Sequence, residues 1–98
     1  MNIIKNTEGS TLTVALEGRL DTVTAPQLEG ELRCAVNGIS ELVFDLGGLD
    51  YISSAGLRVL LSAQKVMNKQ GGMVICNVKP EIMEIFEVTG FVDILTLE

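Results

Sequence analysis

The stretch LVFDLGGLDYISSAGLRVLLSAQKVMNKQ, residues 42–70, decides how the rest of the chain is organised. It begins with a short apolar run, residues 42–46, of the kind found in strands that are covered on both faces. Two glycines, Gly47 and Gly48, follow and are expected to end the strand in a tight loop. A helical pattern comes next, so the stretch predicts a strand, a loop and a helix in succession.

The second half of this stretch has the spacing of an amphipathic helix over residues 54–70. Small and apolar residues recur at steps of three and four, which places them on one face. The residues expected on that face are Gly56, Val59, Leu60, Ala63, Val66 and Met67. Ser53 is predicted as the N-cap and Ser54 lies in the first turn. Since the N–H groups of a first turn are unpaired, a phosphate on one of these serines would find donors there.

The regions on either side of this stretch predict alternating strands and helices. We expect strands at residues 2–5, 11–17, 73–76 and 91–97 and helices at residues 25–37 and 80–89. The last strand is expected either to fill its whole range or to be preceded by a turn. The tetrapeptide Thr-Ala-Pro-Gln at residues 24–27 resembles a capping box at the start of the first helix. Alternation of this kind implies right-handed crossovers and several parallel strands. The sequence therefore predicts an α/β fold in which about three helices cover mainly one face of the sheet.

The composition favours a single cytoplasmic domain over residues 1–98. A hydrophobic content of 47% in 98 residues suits one packed core. No apolar run approaches the roughly 18 residues that span a bilayer, and residues 1–5 lack the features of a signal peptide. The net charge of −6 disfavours a nucleic-acid partner. It is compatible with a basic protein partner, although its main effect is on solubility.

The residues required for catalysis or metal binding are missing from the sequence. A serine nucleophile usually needs histidine as its base, and the chain contains none. Lys65 and Lys69 lie about three and four turns beyond Ser54 on the same helix, out of reach at ~1.5 Å per residue. Cys34 and Cys76 do not make a metal set and are expected to be buried free thiols. We therefore predict no catalytic residue, no metal and no cofactor.

Residues 45–57, DLGGLDYISSAGL, resemble the signature of STAS domains, in particular the free-standing anti-sigma factor antagonists. The resemblance includes EGRLD at residues 17–21 and TGF at residues 89–91, and it extends over nearly the whole chain. It implies a mixed sheet of four or five strands with helices packed on it. It also implies a regulatory binding protein of bacteria that takes part in transcription control.

The family resemblance implies a switch at the start of the central helix. Such an antagonist binds a kinase that otherwise holds a sigma factor, the kinase phosphorylates a serine, and a phosphatase removes the phosphate. Alignment on Gly56 places the phosphoacceptor at Ser54, with Ser53 as the alternative. Ser53 stands where the family often has aspartate, and Ala55 stands where it often has serine or threonine.

Several further residues have two interpretations at this stage. Those expected to contact the partner are Asp21, Ser53, Ala55, Gly56 and Arg58. Asp21 is equally well explained as a support for the first helix, and Asp45 is expected to accept a hydrogen bond from a backbone N–H. The exposed helix residues Arg58, Lys65, Asn68 and Lys69 form either an ordinary solvated face or a partner-binding surface.

Two other functions fit the same resemblance. A STAS module can serve as an unmodified scaffold subunit of a transporter or lipid-transport complex, and some STAS domains are reported to bind nucleotides. Neighbouring transporter genes would favour the scaffold, and tight nucleotide binding by the purified domain would favour the nucleotide-binding function. The sequence does not indicate an oligomeric state.

Overall fold

The computed structural model describes residues 1–98, which form a four-stranded mixed sheet with three α-helices and a short 3₁₀ helix. The elements are β1 (Asn2–Glu8), β2 (Thr11–Leu20), α1 (Ala25–Ala35), β3 (Glu41–Ile52), α2 (Ser54–Gln70), β4 (Gly72–Cys76), α3 (Pro80–Thr89) and the 3₁₀ helix (Phe91–Asp93). The strand order is β1-β2-β3-β4, with β1 antiparallel to β2 and the other pairs parallel. The predicted α/β fold class is confirmed.

The core lies between the sheet and the helices. Since α1 joins β2 to β3 and α2 joins β3 to β4, two right-handed crossovers in the same direction place both helices on one face. On β2 the alternate residues Leu12, Val14 and Leu16 are buried, whereas Thr13 and Ala15 on the opposite face are only half-buried. Every buried hydrophobic side chain belongs to one cluster, which Phe86 of α3 also joins. Phe44 and Phe86 are its only aromatic members, so aliphatic side chains form most of the core.

The predicted end of the central strand at the two glycines is wrong, because β3 continues through them to Ile52. Its pairing with β2 shifts there: Ala15 lies opposite Asp45, but Glu17 lies opposite Gly48. This extra residue on β3 is a bulge, and a Cβ atom on Gly48 would come within 2.9 Å of Glu17 Cγ. The glycines therefore permit close pairing instead of ending the strand. Only Ser53 separates the end of β3 from the start of α2.

Residues 91–97 do not form a continuous strand, and of the two predicted forms the one that begins with a turn is nearer to the structure. Gly90 adopts a left-handed conformation with φ of +80°, and the chain then turns into the 3₁₀ helix. Only Leu97 forms a parallel bridge, with Ile75 of β4. The N–H of Ile75 donates to the Thr96 carbonyl at 2.9 Å. The sheet thus has four strands and one added bridge.

Three side chains are more exposed than the pattern predicted. Cys34 lies on the surface, so its predicted burial is wrong, although both cysteines are free thiols as expected. Cys76 is half-buried, and burial raises the pKa of its thiol. Val66, which the apolar spacing predicts on the buried face, is 42% exposed. The 17-residue helix α2 has the predicted bounds. None of the helices combines the length and the apolar character needed to cross a membrane.

The amino edge of the sheet, defined by Ser10, Ser40 and Gly71 just before the three parallel strands, is closed by hydrogen bonds. The Ser10 carbonyl accepts from the Ser40 N–H and the Ser40 carbonyl accepts from the Gly72 N–H, each at 2.9 Å. The side-chain amide of Gln70 donates to the Ile39 carbonyl at 2.6 Å. The polar backbone of this edge is therefore used within the fold.

Candidate functional site

The carboxyl edge of the sheet, where β2 ends at Leu20 and β3 at Ile52, brings two turns together. The Leu20 carbonyl accepts a hydrogen bond of 2.9 Å from the Ser53 N–H. The turn before α1 consequently lies against the start of α2. In open α/β sheets the carboxyl ends of parallel strands are the usual place for binding residues.

Ser53 is the N-cap of α2, as predicted. Its backbone is extended, with φ of −97° and ψ of 175°, and its Oγ accepts a hydrogen bond of 3.4 Å from the Gly56 N–H. Its carbonyl accepts the first intrahelical bond, from the Leu57 N–H at 2.9 Å. The hydroxyl oxygen of Ser53 thus has a structural task at the helix start.

Ser54 is the first residue of α2 and its side chain is exposed. Its hydroxyl forms no hydrogen bond within the chain, in contrast to that of Ser53. The backbone N–H groups of Ser54 and Ala55 also have no partner within the chain. A free hydroxyl therefore stands beside two free amides at the positive end of the helix dipole, where a negative charge is stabilised.

Gly56 is buried beneath this surface and fixes the position of the helix start. A Cβ atom at this residue would lie 2.7 Å from Leu20 Cγ and 2.9 Å from Ile52 Cγ1. Only glycine allows the first turn of α2 to approach the ends of β2 and β3 so closely. Gly56 thus acts through the placement of Ser53 and Ser54, since it has no side chain to present.

Asp21 organises the turn between β2 and α1. Its Oδ1 accepts hydrogen bonds from the N–H groups of Val23, at 3.0 Å, and Thr24, at 3.1 Å. The Thr24 N–H is the main cause that lowers the pKa of the Asp21 carboxyl below its ordinary value, and Arg19 adds a smaller contribution. The predicted capping box at residues 24–27 is wrong, because the Thr24 hydroxyl donates back to the Arg19 carbonyl at 2.8 Å. Asp21 therefore supports the start of α1, one of the two interpretations of its role.

A pair that the sequence did not single out flanks this edge. The Arg19 guanidinium lies 4.2 Å from the centre of the Tyr51 ring, and these residues are register partners on β2 and β3. Arg19 Nε is also 3.7 Å from Asp21 Oδ2. Arg19 belongs to the motif at residues 17–21, but the bulge in β3 determines which residue of that strand lies opposite it. The contact between Arg19 and Tyr51 therefore could be identified only from the pairing of β2 with β3.

The two remaining residues predicted to contact the partner, Ala55 and Arg58, lie near the start of α2. Arg58 is exposed on α2 and forms no ion pair, while Ala55 is half-buried. Both line a groove between the first turns of α1 and α2, together with Thr22 and Pro26. The site thus combines Asp21, Ser54 and a free cation within two adjoining turns. Asp45 lies elsewhere on the sheet and accepts from the Gly47 N–H at 2.9 Å, as predicted.

The polar groups at this edge suit a surface that is modified or that binds another protein. The edge offers an acceptor hydroxyl, free amides and a guanidinium, but the chain has no histidine to act as a base for Ser54. No group of three or more His, Cys, Asp or Glu side chains is placed to hold a metal ion. What the arrangement can do chemically is receive and stabilise an anionic group.

Comparison with known proteins gives consistent results. A family model of the STAS domain matches residues 2–98. A candidate anti-sigma factor antagonist of Bordetella bronchiseptica, BtrV, is 48% identical over 85 residues, which is 85% of this chain and 73% of that protein. The anti-sigma-B factor antagonist of Bacillus subtilis strain 168 is 30% identical over 101 residues, covering 99% of this chain and 92% of that protein.

The fold agrees with a solved structure of the same kind. A crystal structure of an anti-sigma factor antagonist from Mycobacterium paratuberculosis superimposes with a TM-score of 0.89 at 25% identity, covering 98% of this chain and 83% of that chain. These three relatives are all named as anti-sigma factor antagonists. Because the family model covers residues 2–98 and the observed sheet and helices agree with it, the chain belongs to the STAS domain family.

Proposed function

We propose that this protein is an anti-sigma factor antagonist that binds a serine kinase of the anti-sigma type and is switched off by phosphorylation of Ser54. The observation that carries the proposal is the exposed Ser54 hydroxyl, which is unbonded at the first residue of α2. The antagonists among its relatives support the general role. By the same proposal, the protein acts in the bacterial cytoplasm and a serine phosphatase restores the unmodified form.

The geometry favours Ser54 over Ser53 as the acceptor. The Ser53 oxygen accepts from the Gly56 N–H, so a phosphate on it would disturb the helix cap. The Ser54 oxygen is free and accessible, and a kinase can reach it without altering the fold. Phosphoryl transfer would form a bond between Ser54 Oγ and the γ-phosphorus of ATP, break the bond to the β-phosphate and release the hydroxyl proton with ADP.

The folded protein is expected to tolerate the phosphate. The modification adds about −1.5 to −2 charges and three acceptor oxygens. At the start of α2 these oxygens meet the free N–H groups of Ser54 and Ala55 and the helix dipole, which stabilises an anion by roughly 0.3–1 kcal/mol. The change of state is therefore local and does not require refolding.

The bound partner is expected to be less tolerant. A protein packed on Ser54 would have to bury the new charge beside its own groups, at the edge that also carries Asp21 and Arg58. A loss of every ~1.4 kcal/mol of binding free energy corresponds to about tenfold in affinity. A few kcal/mol would be sufficient to separate the two proteins, and removal of the phosphate would restore binding.

The test is incubation of the purified protein with its cognate anti-sigma factor kinase and Mg-ATP, followed by peptide mass spectrometry. We expect one phosphate, on Ser54, and a loss of affinity for the kinase in the modified protein. The Ser54→Ala variant should bind the kinase but remain unmodified. The Ser53→Ala variant is the matched control, and it should still be phosphorylated on Ser54. Phosphate on Ser53, or no phosphate on the wild-type protein, would overturn the assignment.

A further inference from the structure

The basic side chains of this protein fall into two groups. Four of the seven form ion pairs with carboxylates: Lys5 with Glu31, Arg19 with Asp21, Arg33 with Glu29 and Lys79 with Asp50. The other three, Arg58, Lys65 and Lys69, have no such partner, and all three lie on α2. The unpaired positive charge of an otherwise acidic chain is therefore concentrated on one helix.

These three residues form an exposed line along α2, which we call the cationic ridge. Their spacing of seven and four residues, with Ser62 between the first two, places them on one side of the helix. No acidic residue occurs within Ser54–Gln70. The helix dipole favours a cation only in the last turn, where Lys69 lies, so it does not account for Arg58 or Lys65.

An apolar groove runs beside the ridge, between α1 and α2. Part of it forms a half-open pocket of about 150 Å³, whose apolar lining is Leu32 of α1, Val36 just after the end of α1, and Val59, Ala63 and Val66 of α2. This volume is comparable to a cavity that accommodates benzene, about 150 Å³, so one large side chain fits. Val66 is exposed because its side chain forms part of the groove wall instead of packing in the core.

The groove leads to the site around Ser54. Its apolar part shares Glu29, Val59 and Ser62 with the more polar opening at Ala55 and Arg58. The negative charge of Glu29 on the α1 side is balanced by Arg33, whose guanidinium is 3.1 Å away. The net charge beside the groove therefore comes from the ridge and is positive.

We propose that the α1–α2 groove and the cationic ridge dock an acidic amphipathic segment of the anti-sigma factor, with an apolar side chain in the groove and carboxylates along the ridge. This inference rests on the proposed function, since it names a second contact surface of the same partner. The segment would bring desolvated carboxylates close to Arg58, four residues after Ser54. A phosphate on Ser54 then repels the segment and competes for Arg58, which links the modification to release.

The test measures binding of the purified cognate anti-sigma factor by titration calorimetry at several salt concentrations. Val66→Glu places a like charge in the groove and is expected to weaken binding at least about tenfold. Its matched control is Val88→Glu, on α3, where the wild-type side chain is 82% exposed, and this variant should bind as the wild type does. Thermal unfolding of both variants checks that they are folded.

The ridge is tested by Lys65→Gln combined with Lys69→Gln. We expect about three- to tenfold weaker binding and a shallower dependence of affinity on salt, because fewer charges meet at the interface. The control changes the net charge equally on the edge strand β1, by Asn6→Glu with Thr7→Glu, both exposed positions. Unchanged affinity in the groove and ridge variants would overturn the inference.

The outcomes separate this inference from the proposed function. If the wild type is phosphorylated on Ser54 but the groove and ridge variants bind normally, only the docking inference fails. If the variants bind weakly but Ser54 is never modified, only the phosphorylation fails. Absence of any binding to the anti-sigma factor overturns both. Loss of self-association, or of binding to anionic phospholipid vesicles, in the same variants without an effect on the anti-sigma factor also overturns the docking inference.

Discussion

The two edges of the parallel sheet use the same kind of connection for different purposes. At the amino edge, the Ser10 carbonyl accepts a hydrogen bond from the Ser40 N–H, and the Ser40 carbonyl accepts one from the Gly72 N–H. At the carboxyl edge, the Leu20 carbonyl accepts a hydrogen bond from the Ser53 N–H, but the hydroxyl and the backbone N–H of Ser54 have no partner within the chain. The comparison teaches that one edge pairs its backbone groups within the fold, whereas the other leaves polar groups without a partner in the chain.

The difference has a simple energetic origin. At the amino edge the backbone groups of neighbouring segments pair with one another, and each such hydrogen bond contributes about 0.5–1.5 kcal/mol net to stability. At the exposed start of α2 the free N–H groups are solvated by water, so they add no such bond to the fold. Substitutions at the amino edge should therefore change stability most, and those at the exposed hydroxyl should change it least.

The largest effect is expected for Gly71→Ala at the amino edge. The backbone of Gly71 is extended, with φ of 167°, so the obstacle is steric and not conformational. A Cβ atom there would overlap the backbone carbonyl of Ser40, which cannot move without breaking its bond to Gly72. We expect a loss of about 3 kcal/mol or more in the free energy of unfolding, measured by urea denaturation.

Gly30→Ala is the matched control for this substitution. Gly30 lies inside α1, and a Cβ atom there meets nothing within 4 Å. Because alanine has the higher helix propensity, this variant should gain about 0.5–1 kcal/mol. Equal effects of the two substitutions would contradict the view that the amino edge is closed by tight backbone contact.

The second effect is expected at the carboxyl edge, for Gly56→Ala. Alanine would normally gain about 1 kcal/mol in a helix, but here its Cβ would press on Leu20 and Ile52. These are side chains and can shift more readily than the backbone at Ser40, so we expect a smaller net loss, about 1–3 kcal/mol by urea denaturation. A stabilised variant would show that the helix start is not pressed against the strand ends.

The third comparison lies between the two neighbouring serines. Ser53→Ala removes the cap acceptor of the Gly56 N–H and should cost about 0.5–1 kcal/mol of unfolding free energy. Ser54→Ala removes an unbonded, exposed hydroxyl and should change stability by less than about 0.5 kcal/mol. Thermal unfolding of both variants under the same conditions measures the difference. A larger loss from Ser54→Ala would mean that the roles of the two residues are exchanged.

Much of the fold could be predicted from local sequence patterns. The bounds of α2, Ser54–Gln70, and the capping role of Ser53 followed from apolar spacing and from the preference of serine for helix starts. The predicted end of the central strand at Gly47 and Gly48 was wrong because glycine is typical of both turns and bulges. Only the register with β2 shows that Gly48 faces Glu17 within a continuing strand.

The site was predicted less completely than the fold. The predictions for Ser54 and Asp21 came from short motifs and the family resemblance, whereas the Arg19–Tyr51 contact depends on pairing between two strands that are distant in sequence. Val66 shows a related limit, since apolar spacing places it on the buried side although it faces the groove between α1 and α2. Helical periodicity identifies an apolar face but not which neighbour covers it.

A dependence of stability on pH separates a structural from a purely functional role of Asp21. Since hydrogen bonds from Thr24 and Val23 lower the pKa of this carboxyl, the folded state holds its charged form more strongly than the unfolded state does. The stabilisation is complete at neutral pH and is lost as the pH falls below about 4. In urea denaturation between pH 7 and pH 3, the stability advantage of the wild type over Asp21→Asn should be constant above about pH 5 and shrink only below it. A constant difference over the whole range would mean that the carboxylate charge does not support the turn before α1, which would leave Asp21 to contacts with the partner.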